Sequence, residues 1–387
     1  MAFRKPQVKQ IATNIEALQI YLRAERKFGK TTLFRDMVLE KFGDPECGML
    51  VKAGFEDGDA LLDEINSTDV QTFEEFLELI DWVITEQGKE HKIKMIGVDV
   101  VDELIPLVEA YTVKLARKET GKPVKSILEA FGGYNKGPIR AGLELKKAFQ
   151  KLKKAGIGTV AIAHTKIKNV KPKGAINETD GYDVFTSTLN ATYEAVFGDI
   201  FDIILTGAID RDVVDGKLVE SNRYLYFRGD GFVEAGGRMA YGTVPDKLAF
   251  DKPNMAKDVI EILEEAMRKS SVKGISKEDF AQMQKKQLSE AQDKAKAYVE
   301  SIKNNESVKE VDGVPVPTTQ DEADEVEEMD VDVAKNKEIL AKIQAKFKTA
   351  TAQQKKAVKD LLAQNGAVKL DVDTLKTEVF EKALALL

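Results

Sequence analysis

Ile20-Tyr-Leu-Arg-Ala-Glu-Arg-Lys-Phe-Gly-Lys-Thr-Thr-Leu-Phe34 is the stretch on which the reading of this chain turns. An apolar strand runs into a short polar loop, then Gly29-Lys30-Thr31-Thr32, then a helix with apolar residues at helical spacing. That order suits a polyphosphate anion: loop N–H groups and the positive end of the helix surround it. The lysine then reaches the outer phosphates, and the threonine hydroxyl ligates magnesium. Residues 25 to 32 (Glu25, Arg26, Lys27, Phe28, Gly29, Lys30, Thr31, Thr32) are therefore the candidate nucleotide-binding loop, with ATP and Mg2+ as ligands. One departure stands out: the glycine usual six residues before the lysine is Ala24, which fits if its φ stays negative.

Three segments downstream supply partners for such a loop. Met95-Ile-Gly-Val98 ends in Asp99, about 70 residues after Lys30, with Asp102 and Glu103 close behind. A carboxylate at the end of a neighbouring strand is a usual second holder of magnesium, so Thr31 and Asp99 form the candidate metal pair. Gly48-Met-Leu-Val-Lys-Ala-Gly-Phe-Glu56 offers Glu56 as acceptor of a proton from the attacking water, with Asp57 as its competitor. Gly158-Thr-Val-Ala-Ile-Ala-His164 places one of only two histidines at the tip of a buried-looking strand, where it can sense the outer phosphate.

Alternating strand and helix signals from 15 to 250 predict an α/β fold, a mostly parallel sheet with helices on both faces. Expected strands are Gln19–Arg23, Gly48–Ala53, Lys94–Val98, Gly158–Ala163 and Asp202–Thr206; expected helices are Thr31–Lys41, Phe73–Thr85, Leu104–Lys118 and Arg140–Lys154. Arg223–Arg228 and Phe232–Glu234, around Gly-Asp-Gly, read as a terminal hairpin. The domain plan is thus 1–253 core, 254–303 charged helical extension, 304–333 acidic linker and 334–387 small helical tail. The linker, with DEADEVEEMDVD, reads as a solubilising spacer or a mimic of DNA, and the tail helices carry lysines on one face.

Bulk properties narrow the class. Hydrophobic residues make up 43% and charged residues 32%, a globular composition. A single cysteine, Cys47, excludes an intramolecular disulfide and fits a reducing compartment. The basic start, MAFRKPQVKQ, has no apolar stretch after it, so no signal peptide is expected. Apolar runs fall far short of the roughly 20 residues a membrane span needs, so a cytoplasmic protein without membrane contact is expected. The net charge of -7 argues against a non-specific nucleic-acid glue over the whole surface, while leaving room for local basic patches.

GKTT at 29–32, Phe55-Glu56-Asp57, IGVDVVDEL at 96–104, AIAHTK at 161–166 and Tyr224-Leu-Tyr-Phe-Arg-Gly-Asp-Gly-Phe-Val-Glu-Ala-Gly-Gly-Arg238 together resemble the RecA-like ATPase core. More narrowly they resemble phage-encoded RecA-core ATP-binding proteins of the Sak single-strand annealing group, over about residues 15–250. The resemblance implies an ATPase, with DNA-stimulated hydrolysis, in which Lys30, Glu56, His164 and Arg238 are catalytic. In it Arg238 acts across a subunit interface, with Arg228 as alternative. It further implies a homo-oligomer in the host cytoplasm that binds single-stranded DNA, with a single-strand-binding protein as an additional partner.

The DNA contacts implied are Lys118, Lys122 and Lys125 in one loop, which also carries Lys114 and Arg117 and is followed by Lys136, and Lys166, Lys168, Lys171 and Lys173 in another. Tyr134 or Phe131 can stack on bases. Recombination or annealing is the expected role. A replicative helicase or translocase motor and a nucleotide-binding scaffold with little turnover are the alternatives, separated by DNA-stimulated hydrolysis and by strand displacement.

Overall fold

The computed structural model describes residues 11–55, 61–171, 181–214, 217–272 and 274–290, and a set of positions between 339 and 386. The chain divides into two compact units, 1–308 and 309–387.

The first unit is built on one sheet, whose strands among the described residues run β10-β8-β7-β1-β5-β4-β2-β3. Its central strand β1 (Gln19–Ala24) pairs in parallel with β5 (Gly158–Val170) on one side and with β7 (Ile203–Val214) on the other. Beyond β5 come β4 (Met95–Asp99), β2 (Gly48–Ala53) and β3 (Ser67–Val70), all parallel. Beyond β7 the sheet turns antiparallel through β8 (Lys217–Tyr226) and β10 (Lys247–Ala249), with β9 (Gly236–Gly237) also on β7. The expected α/β sheet is therefore present, and β4 is not the immediate neighbour of β1, because β5 lies between them.

Period-two patterning explains why β1 sits at the centre. Ile20 and Leu22 face a core completed by α1 (Lys30–Phe42) and α6 (Ala256–Lys269). Tyr21 faces the opposite core, built with α2 (Phe73–Thr85), α3 (Val101–Thr120), α4 (Lys136–Lys154) and α5 (Ala191–Ile200). A strand buried on both faces reads as a continuous apolar run, which is what 20–22 shows. Helix α6, from the segment expected as an extension, packs Val259, Ile260 and Leu263 into the core beside Leu33 and Met37 of α1.

Two expectations need correction. The hairpin is β7–β8, with Thr206 opposite Tyr226, and not 223–228 against 232–234. Phe232-Val233-Glu234 instead crosses to Phe185 of β6 (Tyr182–Ser187), where the Phe185 N–H donates to the Phe232 carbonyl at 2.7 Å. Second, the lysine-bearing segment after His164 is not a loop at its start. β5 continues to Val170 and pairs with β6 as an antiparallel ribbon from Thr165–Ser187 to Val170–Tyr182.

In the second unit Ile339, Ile343, Val358, Phe380 and Ala383 form a small buried cluster of their own, with Thr377–Ala385 helical. The acidic stretch expected as a linker lies outside the described residues.

Candidate nucleotide-binding site

β1 ends at Ala24, level with His164 of β5 and Gly207 of β7, and the phosphate loop begins there. Ala24 stays in the extended strand, so the missing glycine costs nothing in backbone strain; the left-handed positions are Lys27 (φ 62°) and Gly29 (φ 108°). Room for the alanine methyl comes from the next strand. A Cβ on Gly207 would stand 2.8 Å from the Ala24 Cβ and 2.6 Å from the ring of Phe28. Phe28 is buried and stacks on Phe250 at 4.8 Å between centroids, so its ring anchors the loop and only its main chain is left for phosphate.

Lys30 opens α1 and is only 6% exposed. Its ammonium donates to the carbonyls of Ala24 (3.1 Å) and Glu25 (3.0 Å), neutral acceptors that an anionic phosphate outcompetes. One residue on, the Thr31 hydroxyl donates to the Asp99 carboxylate at 2.6 Å. Asp99 is 3% exposed at the end of β4, so β1–α1 and β4 bring the expected metal pair together across the intervening β5. Two hard oxygen donors at this spacing suit Mg2+, which takes one or two protein oxygens and fills its sphere with water and phosphate.

His164 stands between these strands. Its amide donates to Asp102 Oδ2 at 3.0 Å, and its Nδ1 lies 3.7 Å from the same oxygen. Thr188 bridges them: its hydroxyl donates to Asp102 and its N–H to the His164 carbonyl. Burial first, then the nearby Lys30 charge, and lastly Arg26, push the imidazole below its ordinary value, against a smaller opposing pull from Asp102. The ring is thus neutral at pH 7 and can accept or donate one hydrogen bond at the phosphate end.

Below the loop lies a buried ion pair that the sequence reading missed. Arg23, 1% exposed, bonds Glu194 (2.7 Å), the Glu234 carbonyl (2.5 Å) and Thr206 (3.2 Å), while Tyr21 donates to Glu194 at 2.8 Å. This network ties β1, α5, β7 and the 234 strand-crossing together one residue before the loop. A second missed contact sits on the loop itself: the Glu25 carboxylate is held by both Arg211 nitrogens, at 2.9 and 3.2 Å. Arg26 and Lys27 are exposed.

A sequence profile described as the AAA domain matches residues 16–239, more than half of the 387-residue chain. The chain belongs to the AAA-domain family of P-loop ATPases. No curated protein matches it. The AAA domain thus contains Lys30, Thr31, Thr32, Asp99 and His164, together with Arg238 at its far end.

Other expected residues fall elsewhere. Glu56 and Asp57 lie outside the described residues, as does Lys173. Just before them, Gly54 ends β2 beside α3: a Cβ there would be 3.3 Å from Glu103 Oε2, which puts a second carboxylate at this edge of the sheet. Arg238 sits at the opposite edge of its own sheet. Its N–H donates to the carbonyl of Asp202, the residue before β7, and its guanidinium to the Asp199 carbonyl. Arg228 lies over the Tyr241 ring at 4.1 Å.

The basic segments flank the phosphate edge. Lys114, Arg117 and Lys118 belong to α3 and are not in a loop, while Lys122 and Lys125 follow it exposed. Lys153, near the end of α4, bonds Asp202 at the lower edge of the sheet (2.8 Å). From there the 19 residues of α4 rise about 28 Å, past the about 20 Å of a six-residue strand. The 121–135 segment, carrying Tyr134 (96% exposed), therefore projects beyond the phosphate edge. Lys166, Lys168 and Lys171 are exposed on or beside the β5–β6 ribbon, which leaves from that edge too. Among the described residues, no helix is long and apolar enough to cross a membrane.

Proposed function

We propose that this AAA domain binds and hydrolyses Mg-ATP and couples the cycle to capture of single-stranded DNA in recombination or annealing. What supports this reading is the placement of two lysine-bearing projections on the same sheet edge as the Lys30–Thr31–Asp99 cluster. Lysines on extended segments suit sequence-independent contact with a phosphate backbone, and exposed Tyr134 suits base stacking. Phage origin, a homo-oligomer and a single-strand-binding partner belong to this reading through the RecA-like resemblance alone.

Lys30 releases the Ala24 and Glu25 carbonyls to hold the outer phosphates. Thr31 and Asp99 would hold magnesium, which neutralises charge on the β- and γ-phosphates when bound. His164, neutral and fixed through Asp102, orients a hydrogen bond at the outer phosphate. Glu56 serves as the carboxylate that takes the proton of the attacking water. Arg238, remote from its own site, serves a neighbouring subunit. The test is ATP hydrolysis with and without single-stranded DNA, using Lys30→Ala as control. Stimulation by DNA that the substitution abolishes is expected; hydrolysis indifferent to both DNA and Lys30 overturns the proposal.

A further inference from the structure

Glu25 sets the phosphate loop an electrostatic problem. Its carbonyl is one of the two that hold the Lys30 ammonium, at 3.0 Å, so its main chain lines the place where the outer phosphates arrive. The carboxylate of the same residue lies within one side-chain length of that place. This is inside the about 10 Å over which charges act on one another at 0.1 M salt. A bare negative charge there repels a polyphosphate.

The remedy comes from the far end of β7. That strand is level with Ala24 at Gly207 and then runs on beside β8, beyond the end of β1. Arg211 sits on this overhang. Its Nη1 donates to the Ile209 carbonyl at 3.4 Å, which turns the guanidinium back towards the sheet. Nη1 and Nη2 then donate to one Glu25 oxygen each, at 3.2 and 2.9 Å, a two-pronged contact that a lysine cannot make. The neighbouring carboxylate, Asp210, falls on the alternate face of the strand and is paired with Lys247 at 3.2 Å.

Exposure decides what the pair is for. The Arg211 side chain is 45% exposed and that of Glu25 26%, and ion pairs so open to water add little to the stability of a fold. Their effect falls on what enters the loop. With the guanidinium in place position 25 carries no net charge; without it, a carboxylate faces the incoming anion.

We propose that Arg211 is a positioning residue for the nucleotide, which cancels the Glu25 carboxylate and holds it aside so that the loop admits a polyphosphate. The inference rests on the phosphate-site reading of Lys30 and Thr31, and one experiment separates the two. Calorimetry with Mg-ATP is run on the full-length wild type, Arg211→Gln, Glu25→Gln and the double variant, at about 0.05 M and about 0.5 M sodium chloride. Arg211→Gln is expected to weaken binding by about tenfold at the lower salt. Glu25→Gln should bind more tightly than the wild type, and the double variant should return close to it. The gap between Arg211→Gln and the wild type should narrow at the higher salt, while the urea midpoints of all four stay together.

A strut that only ties the β7 overhang to the loop gives a different pattern: both single variants weaken binding alike, and salt leaves the gap unchanged. Either observation overturns the role of Arg211 and leaves the phosphate site intact, as does a double variant no better than Arg211→Gln. A wild type that does not bind Mg-ATP overturns the phosphate site and this role with it.

Discussion

The Thr31 hydroxyl and the Asp99 carboxylate meet at 2.6 Å although β1, which leads into the helix of Thr31, and β4, which ends in Asp99, are separated by a third strand. This contact is the point at which helix α1 and strand β4 can share one cation. Asp99→Asn keeps the shape and removes the charge. It is expected to weaken Mg2+-dependent nucleotide binding by about tenfold or more while leaving metal-free binding little changed. Titrations with and without EDTA read the difference, and an equal loss in both would assign Asp99 a structural role.

His164 carries a pH signature. Its folded value lies below the ordinary histidine range because burial and Lys30 oppose a second positive charge. The folded chain therefore binds fewer protons than the unfolded chain just below pH 6.5, so stability is full above that pH and falls as the pH drops through the window beneath it. His91 is displaced the same way, by burial. Ring proton NMR should show both histidines titrating below the ordinary value, and His164→Gln should flatten part of the acid-side loss in urea unfolding.

Gly207 and Ala24 are a matched pair. Gly207→Ala drives a methyl to within 2.6 Å of the Phe28 ring, and repacking is expected to cost about 1–3 kcal/mol and to weaken nucleotide binding. Adding Ala24→Gly relieves the 2.8 Å clash, so the double variant should recover part of the loss. A double variant no better than the sum of the singles would deny that these two positions share one space.

How far the sequence disclosed all this depends on the range of the interactions involved. The β1–loop–α1 unit was legible because an apolar run, a Gly-Lys-Thr and a helical pattern lie within fifteen residues. Helix α2 was legible to the residue: Thr72 accepts from the Glu75 N–H, and Glu75 accepts from the Gln71 N–H, a local cap written in adjacent letters. Gly229-Asp-Gly231 misled because it has the composition of a hairpin turn. In the fold Asp230 accepts from the N–H groups of Phe232 and Val233, a local turn that sends the chain towards β6 instead of back along β8. The β5–β6 ribbon was hidden because its alternating lysines look like a solvated loop until a partner strand is known. Glu25–Arg211 and Arg23–Glu194 join residues 186 and 171 positions apart, which no local pattern encodes.

The Arg23–Glu194 pair gives a stability prediction. With Arg23 buried, Glu194→Ala leaves a cation with a reduced set of acceptors and is expected to cost about 3 kcal/mol, read as a lower urea midpoint at unchanged slope. Replacing both residues by apolar ones of similar size should be much less harmful than the single change; a double variant as unstable as the single would contradict the desolvation account.

The ribbon lysines make a test that depends on salt. Lys166→Ala with Lys168→Ala should lower single-stranded DNA affinity uniformly across sequences. It should reduce the slope of log affinity against log salt by about 1.4, roughly 0.7 for each phosphate no longer neutralised. An unchanged slope would place the DNA elsewhere.

Residues 158–170 are one unbroken strand, buried up to Ala163 and exposed from Lys166 to Asn169, with His164 at the crossing. A strand does not stretch, so the six residues beyond His164 behave as a stiff pointer about 20 Å long. Its bearing is set where Asp102 takes the His164 amide and the Thr188 hydroxyl. A tilt of ten degrees at that one carboxylate sweeps the far tip through about 3.5 Å, roughly the spacing of one strand residue.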